Sequence, residues 1–429
     1  MKKEYFEGPL GESYTKAVHS SGLEIYIMEK PQFSSCYAIF GTKYGSIDTE
    51  FSVDGKDTVR VPEGIAHFLE HKLFESEDGD AFNKYALTGA SANAYTSFDR
   101  TCYLFSCSDK FYENLDILLN FVQSPYFTEA TVSKEQGIIA QEIKMYDDSP
   151  SWRVMFNMLK TMFKKHPVSI DIAGTVESIA EIDAGLLYKC YETFYNPSNM
   201  FICIAGNVDT NAVLKEIEKK IILKPALTIK KGNFTDGEKV EKHFVSQKLS
   251  VSIPMFCLGF KQSITTAFQS LKTKVCLSLL LEMICGDSSP LYAELIRKGL
   301  INDEFGSEYF TGNGYAALIF EGESSDPKRV SEEIKGEINR IKKNGIDKKL
   351  FAAVKNSAYG DAVRSFQSTE GIVMQFVNGA VSGYNIFDEI KYIKSVSSED
   401  LLRCLNEFDV TNRVLSVIDP VNQIGEENL

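Results

Sequence analysis

The 429-residue sequence contains no run of 18 apolar residues, which excludes an ordinary membrane-spanning helix. Its first residues, MKKEYFEGPLGES, lack the apolar core of a secretory signal, so a cytoplasmic protein is expected. No C-x-x-C pair occurs. The nine cysteines, an odd number, are scattered singly from Cys36 to Cys404, which suits reduced, mostly buried thiols and excludes a disulfide framework. The turn at Gly206 carries no G-x-G-x-x-G series, and G-x-x-x-x-G-K-[ST] is absent, so neither dinucleotide nor P-loop chemistry is indicated. Basic charge is in deficit, with 46 Lys and Arg against 59 Asp and Glu and a net charge of −13. Nucleic acid and anionic membranes, which favour a basic face, are therefore not the expected main partners. Histidine is scarce, at five residues.

Two of those five histidines fall in Pro62 to Glu75, PEGIAHFLEHKLFE. Read as a helix opened by Pro62, this stretch places His67 and His71 one turn apart on one face, with Glu70 beside them. On a helix the imidazoles are separated by about 6 Å of rise, within reach of one ion. On a strand the separation would be about 13 Å, too far to share it. Ile65, Phe68, Leu69 and Leu73 form a second, apolar stripe, so one face packs while the other lines a cleft. The order H-x-x-E-H is the inverse of H-E-x-x-H.

The chain is 44% hydrophobic, and at about 150 residues per domain its length suggests two or three domains. Residues 21–60 alternate in short β-prone runs, broken at Pro31 and at glycine-containing turns. After the His-bearing helix come a helical run ending at Gly89 and two strand candidates, ASANAYTS and TCYLFSC. A helix follows over 110–123, then a longer one from Glu129 to about Tyr146. On it Glu135 and Glu142 are two turns apart and share a face. On spacing alone, such a carboxylate pair reads as a solvated surface.

Residues 223–247 are polar and contain Pro and Gly, and they read as a linker between a first domain, 1–222, and a second, 248–429. The second half restates the first. VSIPMFCLGFKQS resembles the early strands, VCLSLLLEMI stands in place of the His-bearing helix, and RVSEEIKGEINRIKKNG in place of the 110–123 helix. In that alignment His67, Glu70 and His71 face Leu279, Glu282 and Met283, so the duplicate has no ligand set. The fold expected is α+β, with two tandem homologous domains, each a mainly antiparallel sheet with helices packed on one face.

HFLEH, followed by SANAYTS and then EQGIIAQE, resembles the pitrilysin/insulinase family of inverted zincins, over essentially the whole chain. The resemblance is nearest to a bacterial cytoplasmic subgroup whose members are often accompanied by a ligand-poor homologue. It implies one Zn²⁺ per chain, held by His67, His71 and Glu142, with Glu70 as catalytic base and Glu135 as a second glutamate supporting the site. It also implies that the edge strand at Asn93 and Ala94 holds a peptide substrate by backbone pairing. One departure stands out: where active members carry an Arg and a Tyr that grip the substrate carbonyl, the run ELIRKGLIND offers Leu295 and Asn302. Arg297 is nearby and reads as a helix-end surface charge.

The function implied is zinc-dependent endopeptidase cleavage of short unfolded peptides. The site would be completed by a partner, either a homologous ligand-poor subunit or a second copy of this chain. The alternative from another class is a non-catalytic assembly or scaffold subunit, which would have no need of stoichiometric zinc.

Overall fold

The computed structural model describes residues 1–9, 11–77, 79–234, 236–262 and 270–421. Position 235 of the expected linker and position 263 at the end of VSIPMFCLGFKQS lie outside the described residues.

The fold is α+β and is divided into two compact units of discontinuous sequence. The first comprises Met1–Ile143, Asp171–Gly232 and Asp361–Asp388, and the second Lys144–Ile170, Asn233–Gly360 and Glu389–Leu429.

In the first unit a seven-stranded sheet is built from β1 (Lys2–Glu7), β2 (Ser13–Val18), β3 (Glu24–Glu29), β4 (Cys36–Thr42), β5 (Ser91–Thr96), β6 (Thr101–Cys107) and β7 (Met200–Gly206). Its order is β1-β2-β3-β7-β4-β6-β5. Only β3 and β7 pair in parallel. Every residue of β4 and β7 is buried, as expected of central strands written CYAIFGT and MFICIAG. The second unit holds β8 (Phe244–Leu249), β9 (Met255–Lys261), β10 (Gly306–Gly312), β11 (Tyr315–Glu323) and β12 (Arg413–Pro420), in the order β8-β12-β9-β11-β10. Its one parallel pair is β8 with β12. The five-strand order and the place of the parallel pair repeat those of β3-β7-β4-β6-β5, so the internal duplication read from sequence is carried by topology.

The expected domain limits are corrected in two respects. The helix Pro150–Met162, from the first half of the sequence, packs on β8, β9 and β12. The helix Thr369–Ser382, from the second half, packs on β3, β4 and β7. Each is amphipathic, and its pattern fixes that it must cover a sheet but not which sheet. The fit is specific: a side chain at Gly259 of β9 would place its first carbon 2.5 Å from Met162 and 2.6 Å from Met158. On the other helix Ile372, Val373, Phe376 and Val377 are fully buried, each contributing about 1.5–3 kcal/mol.

The linker is the second correction. Within 223–247, Ile229–Lys231 forms a strand antiparallel to Glu50–Val53, and β8 begins at Phe244. Along β8 exposed residues alternate with half-buried ones. Its polar composition is that of an edge strand, which charged side chains protect from further pairing.

Against the expectation of no membrane-length apolar helix, the stretch Leu271–Arg297 is long and apolar enough by composition to cross a bilayer, but 67% of its most apolar window is buried within the protein, as in a core helix.

Candidate metal centre

The His-bearing helix, α1, runs Ile65–Leu73, shorter at its start than Pro62 suggested. Gly64 takes φ 87° at its N-cap, and a Cβ there would lie 2.4 Å from the carbonyl oxygen of Ala173. A left-handed glycine pressed against a backbone carbonyl therefore sets where α1 starts, rather than proline pre-organisation. Ile65, Phe68, Leu69 and Leu73 are buried, as the apolar stripe required.

The helix α2 (Glu129–Asp147) brings Glu135 and Glu142 to the His face of α1. Ile139, which lies on the same stripe one turn from each, is fully buried. The solvated-face reading of this pair does not hold, because that stripe packs inward. His67 Nε2 lies 3.7 Å from Glu142 Oε1, and His71 Nε2 lies 3.5 Å from Glu142 Oε2. The two imidazole centroids are 4.5 Å apart. One donor atom from each of His67, His71 and Glu142 lies within 4.8 Å of the others. Tetrahedral bonds of about 2.0–2.1 Å put neighbouring donors roughly 3.3 Å apart, so this two-nitrogen, one-oxygen set fits a zinc ion.

The surrounding groups tune those donors. Burial pushes the His67 imidazole down to about 4, with neighbouring His71 adding to the effect, so its ring is neutral near pH 7. The Nδ1 atom of His71 sits 3.0 Å from Glu135 Oε1. A carboxylate acceptor there places the ring proton on Nδ1 and leaves the Nε2 lone pair toward Glu142. Burial works against a charged His71, but the Glu135 hydrogen bond and the charges of Glu70 and Glu142 outweigh it and hold the imidazole above its ordinary value. Glu135 is held low in turn: burial raises it, but the hydrogen bond and charge of His71 outweigh burial, with the ammonium of Lys72 assisting.

Glu70 stands apart from the donor triad. Its Oε2 accepts a hydrogen bond of 2.7 Å from Thr96 Oγ1, the last residue of β5. Burial raises its carboxyl above the usual range, against the Thr96 hydrogen bond. Thr96 was not singled out from sequence. The only signal available was the strand alternation, which sets it on the same face as Ala92 and Ala94.

Among the described residues the strand β5 is the sheet edge and pairs only with β6. Ala94, opposite Tyr103 in the register, has its N–H donating to the Asn93 side-chain oxygen at 2.9 Å. Of the two residues expected to bind a peptide backbone, the side chain of Asn93 thus caps the amide of Ala94.

In the second unit, Leu279 and Met283, opposite the two histidines in the repeat, are buried in the helix α3 (Leu271–Cys285). Leu295 is fully buried, and Asn302 Nδ2 donates to Glu323 Oε2 at 2.8 Å. Arg297 is exposed in the last turn of the helix Pro290–Arg297.

Sheet duplication, an H-x-x-E-H helix and a glutamate on a following helix together define an inverted-zincin architecture. The comparisons agree. Residues 60–176 match the model "Insulinase (Peptidase family M16)", and 181–358 match "Peptidase M16 inactive domain". The chain is 41% identical, over 92% of its length and 94% of the relative's, to "Uncharacterized zinc protease YmfH" of Bacillus subtilis (strain 168). "Zinc protease PqqE" of Helicobacter pylori is 24% identical over 84% of each chain. Among solved structures, a putative M16-like peptidase from Alicyclobacillus acidocaldarius superposes with a TM-score of 0.91 and 31% identity, covering 98% of this chain and 99% of that one. A Helicobacter pylori protease shares the fold at TM-score 0.83 and 20% identity, covering 95% of this chain and 100% of that one. The chain belongs to the pitrilysin/insulinase family, peptidase family M16.

Proposed function

We propose that the protein is a zinc-dependent endopeptidase acting on short, unfolded peptides, with His67, His71 and Glu142 as ligands of one zinc ion. The observation that carries this reading is the convergence of two imidazole Nε2 atoms on Glu142 with Glu70 beside them. Bound there, zinc supplies Lewis acidity toward a peptide carbonyl and lowers the pKa of a water to about 7. Glu70 takes a proton from the attacking water and returns it to the leaving amine. Thr96 fixes the direction of that carboxylate, and Glu135 fixes the ring of His71. The edge of β5, at Asn93 and Ala94, accepts the substrate as an added strand, which only an extended segment can form. Nine cysteines without disulfides suit a reducing cytoplasm.

The test is Glu70→Gln. Peptide hydrolysis should fall by roughly 10²–10⁴-fold while one zinc per chain is retained, and undiminished hydrolysis would remove Glu70 from the mechanism. Absence of stoichiometric zinc in the native protein would favour a scaffold subunit instead.

Leu295 and Asn302 motivate a second part of the proposal: a partner, either a ligand-poor homologue or another copy of this chain, supplies the groups that grip the substrate carbonyl. The isolated chain is then weakly active and gains turnover with its partner. Full turnover by a demonstrated monomer would contradict this.

A further inference from the structure

We propose that Cys404 and Cys276 form a peroxide-responsive thiol pair, in which the half-exposed Cys404 is the oxidised sulfur and Cys276 closes an intrachain disulfide. The inference is independent of the peptidase reading.

The pair lies in the second unit, on the helices α3 and α4 (Ser398–Asn406), which pack together. Lys272 and Cys276 are one turn apart on α3, as are Asp400 and Cys404 on α4. Lys272 Nζ binds Asp400 Oδ1 at 2.9 Å. That bond puts the helices in register, and the next turn of each brings Cys276 opposite Cys404. Both sulfurs line one cavity of about 150 Å³, together with Lys272, Asp400, Arg403 and Glu407. The two thiols interact through a side-chain hydrogen bond.

The surroundings divide the roles. Every cysteine but Cys404 is buried, so Cys404 is the most accessible of the nine. The hydrogen bond with Cys276 holds the Cys404 thiol below its ordinary value despite burial; Arg403 helps, while Glu407 and Asp400 oppose. The same bond and burial push Cys276 up. A partly accessible sulfur whose thiol is held low, beside a buried one within reach, is the arrangement that redox-responsive cysteines use.

The oxidant is a hydroperoxide, here hydrogen peroxide. The Cys404 thiolate attacks one peroxide oxygen and the O–O bond breaks. The departing hydroxide takes up a proton and leaves as water, and the sulfur becomes a sulfenic acid. Cys276 then loses its proton and attacks the Cys404 sulfur, and hydroxide leaves as a second water. Two thiols and one peroxide give one disulfide and two waters. The two electrons lost by sulfur reduce the peroxide.

The full chain, reduced and then exposed to a small excess of hydrogen peroxide, is mapped by non-reducing peptide mass spectrometry. The expected product is a linked peptide pair carrying residues 276 and 404. In the untreated protein, iodoacetamide at pH 7 should alkylate Cys404 about 10-fold faster than any other cysteine. Cys276→Ser should leave a Cys404 sulfenic acid that dimedone traps, and should slow Cys404 alkylation. Cys404→Ser should abolish oxidation at Cys276. Alkylation of Cys404 no faster than that of the other thiols in the wild-type chain, or a peroxide product lacking the 276–404 link, would overturn the proposal without reliance on either variant.

Discussion

Thr96 Oγ1 donates to Glu70 Oε2 across 2.7 Å, tying the final residue of the sheet's edge strand to the carboxylate of the His-bearing helix. A hydroxyl has one proton to give. Thr101, 3.4 Å from Thr96, gives its own to the carbonyl of Tyr44 at 2.9 Å, so the Thr96 proton is committed to Glu70.

The first prediction concerns acidity. Burial holds the Glu70 carboxyl above the ordinary value and the Thr96 hydrogen bond lowers it, so the acid limb of kcat/KM should lie above the usual glutamate value of about 4.3. Thr96→Val removes the lowering contribution, so the limb should move to higher pH. Activity should fall roughly 3- to 10-fold more at pH 6 than at pH 8, and Thr96→Ser should restore the profile. A loss uniform across pH would assign Thr96 a purely structural role.

Glu135→Ala removes the acceptor that orients His71. Zinc affinity, measured by competition with a chromogenic chelator, should weaken by about 10- to 100-fold. Saturating zinc should recover part of the activity. Unchanged affinity would mean that packing alone holds the ring.

Gly64→Ala forces a side chain into a left-handed backbone 2.4 Å from the Ala173 carbonyl oxygen. Urea denaturation should show a loss of about 1–3 kcal/mol. Gly89→Ala, also at positive φ but with nothing within 4 Å of its Cβ, should cost less.

In the second unit, Lys261 Nζ pairs with Asp236 Oδ2 at 3.0 Å, and both side chains are buried. Burial alone would raise the Asp236 carboxyl, but Lys261 and the amides of Lys165 and Lys164 outweigh it and hold it below the ordinary value. The stability this confers is present above the unfolded-state value, near 3.9, and is lost as pH falls through the lower folded value. Lys261→Met should therefore destabilise by about 3–5 kcal/mol at neutral pH, and the deficit should shrink as pH falls below the unfolded-state value of about 3.9. A deficit independent of pH would show that the charge pair is not its source.

What was legible in the sequence divides along physical lines. His67, Glu70 and His71 lie within two helical turns, so local geometry alone predicts their grouping. Glu135 and Glu142 are ambiguous by spacing, since a helix face does not say what it meets; the resemblance points them toward the histidines, and the burial of Ile139 shows why that face turns inward. Thr96 escaped notice because its bond to Glu70 joins residues that only sheet register and helix placement bring together. The repeat was readable because strand order is copied, but the limits of the units were not. Amphipathicity shows that the helices Pro150–Met162 and Thr369–Ser382 must be covered, and it carries no address. The polar 223–247 run read as a linker because an edge strand and a linker are both depleted in apolar residues.

The two displaced helices have a consequence for how the chain comes off the ribosome. The sheet that presents the histidines has all its strands by Gly206 but waits for a helix ending at Ser382. At about 5–20 residues per second, its apolar face stays uncovered for roughly 10–40 seconds of synthesis. A nascent chain arrested near the midpoint would therefore expose a surface that chaperones bind, and supplying the missing C-terminal fragment in trans should rescue it.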